Sequence, residues 1–400
     1  MIRVANRGVL SVNSIELFCG TGGLAIGLQI AGFSHEALYE WDKDSCDNVK
    51  YNIDNGYVPA KNWKVYQADV RDVDYSQYVN NVHLVSGGPP CQPFSLGGKG
   101  QAYNDKRDMF PEAVRAVREI KPEVFIFENV KGLLRDSFAE YFEYIILQLT
   151  YPEIVKKPNA RWTDHYKELK LVKDNSSNTG LQYNVEYKLM DAADYGVPQS
   201  RHRVFIVGFR SDLKKKWKYP KPTHSKERLL YDQWITGSYW SEFGMKKPEQ
   251  CSLNQGQLQR IRYLVENGKV ASQRWRTVRD AIGDLPDPTV TTASNFFNHD
   301  FRPGAKSYAG HSGSNMDYPS KTIKAGSHGV PGGENMVELD NGSIRYYTVR
   351  ESARIQTFPD SYRFSASWTE SMRQIGNAVP VRLATIVGES VLQQLKGDQI

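Results

Sequence analysis

Cys91, Glu128, Arg201 and Arg203 are the side chains whose types and settings suit covalent chemistry. Cys91 stands in Gly87-Gly88-Pro89-Pro90-Cys91-Gln92-Pro93-Phe94-Ser95, directly after the apolar run His83-Leu84-Val85-Ser86. That run predicts a buried strand. The two glycines let the chain turn at its end, and prolines stiffen both sides of the thiol. A thiol on a rigid loop at the carboxyl end of a strand is well set to attack a ligand, because open α/β sheets bind ligands at that edge. A proline-rich turn with a bystander cysteine fits the same residues, so the partners decide. Glu128 closes the apolar strand Val124-Phe125-Ile126-Phe127. Burial there would raise it from about 4.3 and keep it protonated as an acid, whereas a capping or salt-bridged glutamate would stay ionised. Arg201 and Arg203 alternate within Gln199-Ser200-Arg201-His202-Arg203. One could serve a ligand and the other the scaffold.

A second constellation lies near the amino terminus. Ser14-Ile15-Glu16-Leu17-Phe18 reads as a buried strand, Gly20-Thr21-Gly22-Gly23 as a turn and Leu24 to Ala31 as a helix. Strand, glycine turn and helix open a Rossmann-like unit. The next strand, Ala37 to Tyr39, ends at Glu40, whose carboxylate suits ribose hydroxyls, and Trp41 offers a flat face to an adenine. A third strand near Val65 to Ala68 ends at Asp69. These residues suit a nicotinamide dinucleotide or S-adenosylmethionine equally, since both carry adenosine.

The elements that must position these groups alternate as strand and helix. A glycine-rich polar stretch, Leu96 to Asn104, reads as a mobile loop able to close over a ligand. A helix from Asp105 to Ile120, the fifth strand, and a helix from Ser137 to Leu149 follow. Residues 152–180, rich in Lys, Asn and Ser, read as a partly mobile, peripheral insertion. Two more strands, Tyr183 to Leu189 and Val204 to Phe209, complete the pattern. Alternation then stops. Lysine clusters, the exposed-looking tryptophans Trp217, Trp234, Trp240 and Trp275, and Gly/Asn/Ser loops predict a second domain over residues 211–345. A catalytic and cofactor-binding domain spans 1–210 and is completed by 346–400, where a helix N-capped by Thr348 and an apolar helix from Val381 to Leu395 return.

Composition bounds the partners. The 400 residues carry a net charge of +6. Between Arg201 and Asp280 there are 18 Lys and Arg against 7 Asp and Glu, so the rest of the chain is net acidic. A basic segment with interleaved aromatics suits a nucleic-acid backbone with base stacking. The four cysteines are scattered without a CxxC pair, so no metal site is expected and a reducing, cytoplasmic setting is. No signal-peptide core and no run of 18 apolar residues is present, so no membrane span is expected.

Six stretches, in order, resemble the C5-cytosine DNA methyltransferases. They are Phe18-Cys19-Gly20-Thr21-Gly22-Gly23, Gly88 to Ser95, Glu128-Asn129-Val130, Gln199 to Arg203, Arg350-Glu351-Ser352-Ala353-Arg354-Ile355-Gln356, and Gln374-Ile375-Gly376-Asn377-Ala378-Val379-Pro380. The resemblance covers Ser14 to about Leu395 and implies an α/β, Rossmann-like methyltransferase sheet with a smaller target-recognition domain. It implies S-adenosylmethionine as cofactor, against Phe18, Gly20 and Gly22, with Glu40 on the ribose, Trp41 on the adenine ring, Asp69 at its amino group, and Asn377 and Ala378 completing the pocket. It assigns Cys91 as nucleophile at cytosine C6, Glu128 to N3, Arg203 to O2 and Arg201 to bracing the site. Thr322-Ile323 resembles a Thr-aliphatic pair of the target-recognition region, and Met109 replaces the usual leucine. Double-stranded DNA is the implied partner, bound by a monomer and protected against a cognate restriction endonuclease.

Three other readings make different predictions. A tRNA cytosine methyltransferase of the same fold would share Cys91, Glu128 and the cofactor site. A nicotinamide oxidoreductase would leave Cys91, Arg203 and the C-terminal motif without a role. A non-catalytic DNA-binding regulator would have no use for an intact catalytic set.

Overall fold

The computed structural model describes residues 12–58, 63–90, 108–175, 180–290, 296–307, 312–325 and 335–397. Its body is built from β1 (Val12–Leu17), α1 (Gly23–Ala31), β2 (Phe33–Glu40), α2 (Lys43–Asp54), β3 (Lys64–Gln67), β4 (Leu84–Gly87), α3 (Phe110–Ile120), β5 (Val124–Val130), α4 (Ala139–Thr150), α5 (Trp162–Asn175), β6 (Tyr183–Asp191) and β7 (His202–Arg210). The seven strands form one sheet in the order β3-β2-β1-β4-β5-β7-β6. Strands β1 to β5 are parallel, and β7 runs antiparallel to both β5 and β6. The chain leaves β1 toward β2 on one side and returns to β4 on the other. That reversal places a crevice at the carboxyl ends of β1 and β4.

Strand alternation sorts the core into two layers. Ile15, Leu17, Val85, Phe125, Phe127, Val204 and Ile206 face α3 and α4. Leu84, Val124, Ile126, Phe205 and Val207 face the layer containing α1.

The remaining elements are β8 (His224–Ser225), α6 (Lys226–Leu230), α7 (Ser238–Glu242), α8 (Gln255–Glu266), β9 (Gln273–Arg274), α9 (Val278–Ile282), β10 (Ser314–Asn315), β11 (Met336–Glu338), β12 (Ile344–Tyr346), α10 (Val349–Ile355), α11 (Trp368–Asn377) and α12 (Val381–Lys396). The reading of Thr348 as an N-cap agrees with α10, where a capping box joins Thr348 and Glu351. Helix α12 returns to lie along α1. A Cβ on Gly27 would stand 2.4 Å from Ala384 Cβ and 2.6 Å from the Val381 carbonyl oxygen, so only glycine allows that approach. The stretch Trp368–Lys396 is long and apolar enough to cross a membrane by composition, but most of it is buried in this core and Pro380 divides it into α11 and α12.

Three expectations are corrected. Much of the stretch expected to be a partly mobile insertion is ordered: α5 packs its Trp162, Tyr166 and Leu169 against α4, and the buried His165 bonds Tyr144 Oη at 2.9 Å, while residues 176–179 lie outside the described residues. Lysines on the outer face of α5 obscured that spacing. The helix expected from Asp105 begins at Phe110, after Asp108 accepts the Phe110 N–H; residues 105–107 lie outside the described residues. The tryptophans are not exposed platforms. Trp217 and Trp240 are buried, and Trp234 and Trp275 are half-buried. Trp240, Leu229 and Tyr239 form a small core with Trp234, Phe243 and Trp275. Aliphatic residues are scarce there, so aromatic rings supply the buried area. Trp217 bonds Ser390 of α12 at 3.0 Å, and Lys215 and Lys218 also bond α12, so the chain just past residue 210 still belongs to the body.

Candidate active site

Glu128 and Arg203 meet at the carboxyl edge of the sheet. Glu128 lies near the end of β5, Arg203 near the start of antiparallel β7, and the register pairs Glu128 with Phe205. Both side chains therefore project from the same face. Arg203 Nε donates to Glu128 Oε1 at 2.7 Å, and its Nη1 donates to the His202 carbonyl at 2.8 Å. Nη2 makes no hydrogen bond among the described residues. Burial pushes the Glu128 carboxyl up, while Arg203 and Arg201 pull it back without cancelling the rise. Burial likewise pushes Arg203 down against the pull of Glu128. Each charge thus sits with less compensation than it would have in water.

The turn after β4 touches this pair. A Cβ on Gly88 would stand 3.3 Å from Glu128 Oε2, so the carboxylate fills the place a side chain would need. Asn129 holds the turn by donating to the Pro89 carbonyl at 3.0 Å. Cys91, one residue past Pro90, and the loop Leu96 to Asn104 lie outside the described residues. Cys19 and Cys46 are buried thiols pushed up by burial, Cys46 to about 12, and are unsuited to nucleophilic work.

Arg201 is fully buried and bonds backbone carbonyls. Its Nη1 donates to the Ile323 carbonyl at 2.8 Å, and Nη2 to those of Gly376 and Ala378 at 2.5 and 3.1 Å. Residues two apart would share a face of a strand, but Arg201 lies just before β7, so Arg203 meets the acid and Arg201 the scaffold.

The cofactor candidates gather at the ends of β1 and β2. Phe18 has φ 56° and Gly20 φ 53°, a left-handed stretch that is costly for the phenylalanine. The space a Cβ on Gly20 would take is open. Glu40 Oε1 accepts the N–H groups of Trp41 and Asp42, and Oε2 that of Gly20, each at 2.9 Å. These bonds hold the carboxylate at the turn and leave Oε2 one further acceptor site. Trp41 is 73% exposed, an unusual setting for an indole. Asp69 caps the short turn after β3 and is paired with Arg71, which holds its carboxyl below the usual range. Ala378 packs on the first turn of α1, 3.2 Å from where a Gly23 Cβ would be, and Asn377 is exposed beside it. An open glycine, an exposed flat ring and two strand-end carboxylates fit an adenosine. The bare N-terminus of α1 is partly covered by Val379, whose carbonyl oxygen lies 2.4 Å from a Gly23 Cβ.

Two features had no role in the sequence reading. Glu16, on the same sheet face as Glu128, is buried beside Ser86, whose Oγ donates to Oε2 at 3.2 Å. Burial raises its carboxyl to about 8. A charged residue inside an apolar strand was the available signal. The second is the pair Gln199 and Gln356, both fully buried, with Gln199 Nε2 donating to Gln356 Oε1 at 3.0 Å.

The family model described as C-5 cytosine-specific DNA methylase matches residues 12–151 and 158–393. The chain belongs to that family. Its enzymatic activity is therefore that of a DNA cytosine-C5 methyltransferase, and enzymes of this family use S-adenosylmethionine. Among its relatives is the Type II methyltransferase M.PspPI of Psychrobacter sp. (strain TA137), 32% identical over 96% of this chain and 80% of that protein. Another is M.NgoMIV of Neisseria gonorrhoeae, 30% identical over 97% of this chain and 99% of its own. The crystal structure of S. pombe Dnmt2 methyltransferase superposes with a TM-score of 0.54, at 17% identity, over 96% of this methylase and all of that chain. At that identity the likeness speaks for the fold, which is the Rossmann-like methyltransferase sheet.

Proposed function

We propose that this methylase modifies C5 of a cytosine flipped out of a specific double-stranded DNA sequence, through a covalent bond between Cys91 and C6. The observation that carries the reading is the buried Glu128–Arg203 pair against Gly88, at the start of the turn that leads to Cys91. C5 of cytosine is a weak nucleophile until a thiolate adds at C6. Glu128, whose carboxyl burial pushes up, hydrogen-bonds N3 as charge builds on the ring, and Arg203 holds O2 with Nη2, which makes no hydrogen bond among the described residues. Arg201 braces the edge from behind. S-adenosylmethionine, when bound, supplies the electrophilic methyl sulfonium. Phe18, Gly20 and Gly22 line its approach, Glu40 orients the ribose, Trp41 covers the adenine, Asp69 faces its amino group, and Asn377 and Ala378 close the pocket. Loss of the C5 proton then expels Cys91. A base inside a duplex cannot reach these groups, so flipping is required.

The basic region within residues 211–345, past the stretch Lys215 to Lys218 that packs on α12, binds the duplex as the target-recognition domain, and residues 346–400 complete the catalytic domain. The enzyme works as a monomer in the cytoplasm. Its relatives are Type II methyltransferases, which supports pairing with a restriction endonuclease of the same recognition sequence.

The test is transfer of labelled methyl groups to mixed-sequence duplex DNA and to tRNA, with bisulfite sequencing and a Cys91→Ser control. Label at C5 of cytosine within one short DNA sequence, absent in the variant, is expected. Label on tRNA alone would reassign the substrate, and equal label with Cys91→Ser would remove the covalent step.

A further inference from the structure

The last turn of α11 is tied to the segment Ser320 to Ala325 by buried side chains outside the Glu128–Arg203 pair. Gln199 Oε1 accepts the Ile323 N–H at 2.9 Å, and its Nε2 donates to Gln356 Oε1 at 3.0 Å. Gln356 Nε2 then donates to the carbonyls of Ile375 at 2.7 Å and Ala378 at 3.1 Å. Arg201 provides a second path, from the Ile323 carbonyl to those of Gly376 and Ala378. Both backbone polar groups of Ile323 are thus held by side chains leading to the same helix end. Thr322 Oγ1 adds a bond to the Ser200 carbonyl at 2.8 Å. Gly376 lies so near this segment that a Cβ there would stand 2.3 Å from the Ala325 nitrogen.

Every polar atom of the two glutamine amides on this path has a defined task. Gln356 uses its acceptor and both donors, so no shift of one segment leaves the amide satisfied. Buried polar groups that lose partners are costly, and the network therefore moves as a unit or not at all. Arg201 lies at the negative end of α11, which favours its charge where no carboxylate pairs with it. One end of the path is a segment of the second region. The other is Asn377–Ala378 on the cofactor face.

We infer that Gln199 and Gln356 are positioning residues that couple the binding of DNA by the second region to the binding of cofactor at Asn377 and Ala378. The inference rests on the function proposed above. Coupling of this kind is reciprocal: DNA tightens the cofactor by the factor by which the cofactor tightens DNA. Two near-isosteric variants cut the path at defined points. Gln356→Glu keeps the acceptor for Gln199 but removes both donors to α11. Gln199→Glu keeps the acceptor for Ile323 but removes the donor to Gln356.

The experiment measures S-adenosylhomocysteine affinity by calorimetry, without and with a duplex containing the sequence found by bisulfite mapping. Wild-type enzyme is expected to bind it at least about fivefold tighter with duplex. In either variant the ratio should fall at least about twofold below that of wild type, the path through Arg201 carrying the remainder. Ile145→Val, in the core of α4, lowers stability without touching the path and should keep the wild-type ratio, which separates coupling from general loosening. A wild-type ratio near one, or variants that keep the wild-type ratio, would overturn the inference while methyl transfer still upholds the activity. Wild-type enzyme that neither binds the homocysteine compound nor transfers methyl groups would instead overturn the proposed function.

Discussion

Arginine is treated in opposite ways at two places in this molecule. At the carboxyl edge of the sheet, burial pushes Arg201 and Arg203 down, and a single carboxylate, Glu128, faces them. In the second region burial also works against Arg274 and Arg279, but carboxylates outweigh it and both are pushed up. Arg274 reaches Asp280 at 2.7 Å and Glu242 at 2.9 Å, and Arg279 reaches Asp317 at 2.7 Å and Asp340 at 2.5 Å. Two acids per arginine make a brace. Glu128 pairs with Arg203 alone, while Arg201 bonds only backbone carbonyls among the described residues, which leaves positive charge at the edge and Arg203 Nη2 for a ligand. The contrast separates structural from functional charge by counting partners rather than by burial, since all four side chains are largely withdrawn from water.

Substitution sharpens that contrast most. Arg203→Ala should lower methyl transfer by roughly 10²–10³-fold, the usual cost of losing a donor aimed at developing charge. Its melting temperature should fall only modestly, because Glu128 can then take up a proton. Arg279→Ala should do the reverse: transfer at low temperature near wild type, with stability reduced by about 3 kcal/mol, the lower end for a broken buried pair because Asp340 is mostly in water. Denaturant unfolding beside single-turnover rates checks both, and similar profiles for the two variants would erase the distinction.

Glu16 gives the next effect, in the opposite direction. Its carboxyl rises from an ordinary 4.5 to about 8 because of burial, with Ser86 and the Ala25 backbone opposing weakly. Below about pH 4.5 the group is protonated whether the chain is folded or not, and its contribution to stability is fully present. As pH rises, the unfolded chain releases a proton that the folded chain keeps until about 8, so stability drains away over that window. Glu16→Gln should therefore melt at the same temperature as wild type near pH 4 and progressively higher by pH 8, with a gain on the order of a few kcal/mol. Parallel melting curves across this range would show that Glu16 is ionised in the fold. Trp41→Ala should have the smallest effect. An indole 73% exposed contributes little to folding, so stability should stay within about 0.5 kcal/mol while S-adenosylhomocysteine binds roughly tenfold more weakly. Unchanged affinity would remove Trp41 from the pocket.

The central strands β4, β5 and β7 were legible because each carries an apolar run, whereas polar residues interrupt β2, β3 and β6. The positions of Glu128 and Glu40 followed from strand ends alone. The division of labour between Arg201 and Arg203 did not follow from alternation, since residues two apart share a face of an extended chain; it arises because Arg201 lies just before β7. What did not read through was set by long-range packing. Trp240 and Trp275 looked exposed because their neighbours are loops, and α5 looked loose because its Tyr166 and Leu169 are diluted by lysines. Gln199 and Gln356 stand in recognisable stretches, but the bonds that join Gln199 to Gln356 and to Ile323 each span over a hundred residues, beyond any local pattern.

The pairing of α1 with α12 has a consequence for synthesis on the ribosome. The α1 side of the sheet, including Leu84, Val124 and Ile126, is complete once β7 has emerged, yet it shares its core with Leu383, Val387 and Val391 of α12. At ordinary elongation rates the chain between Arg210 and Lys396 takes about 10–40 s to make. For that interval the nascent sheet carries a bare apolar flank and an unfinished pocket. A translational pause or truncation ahead of α12 is therefore expected to yield aggregating, chaperone-bound chain rather than a weakly active enzyme, and the stretch before Val381 is where synonymous changes in codon speed should alter the yield of soluble protein most.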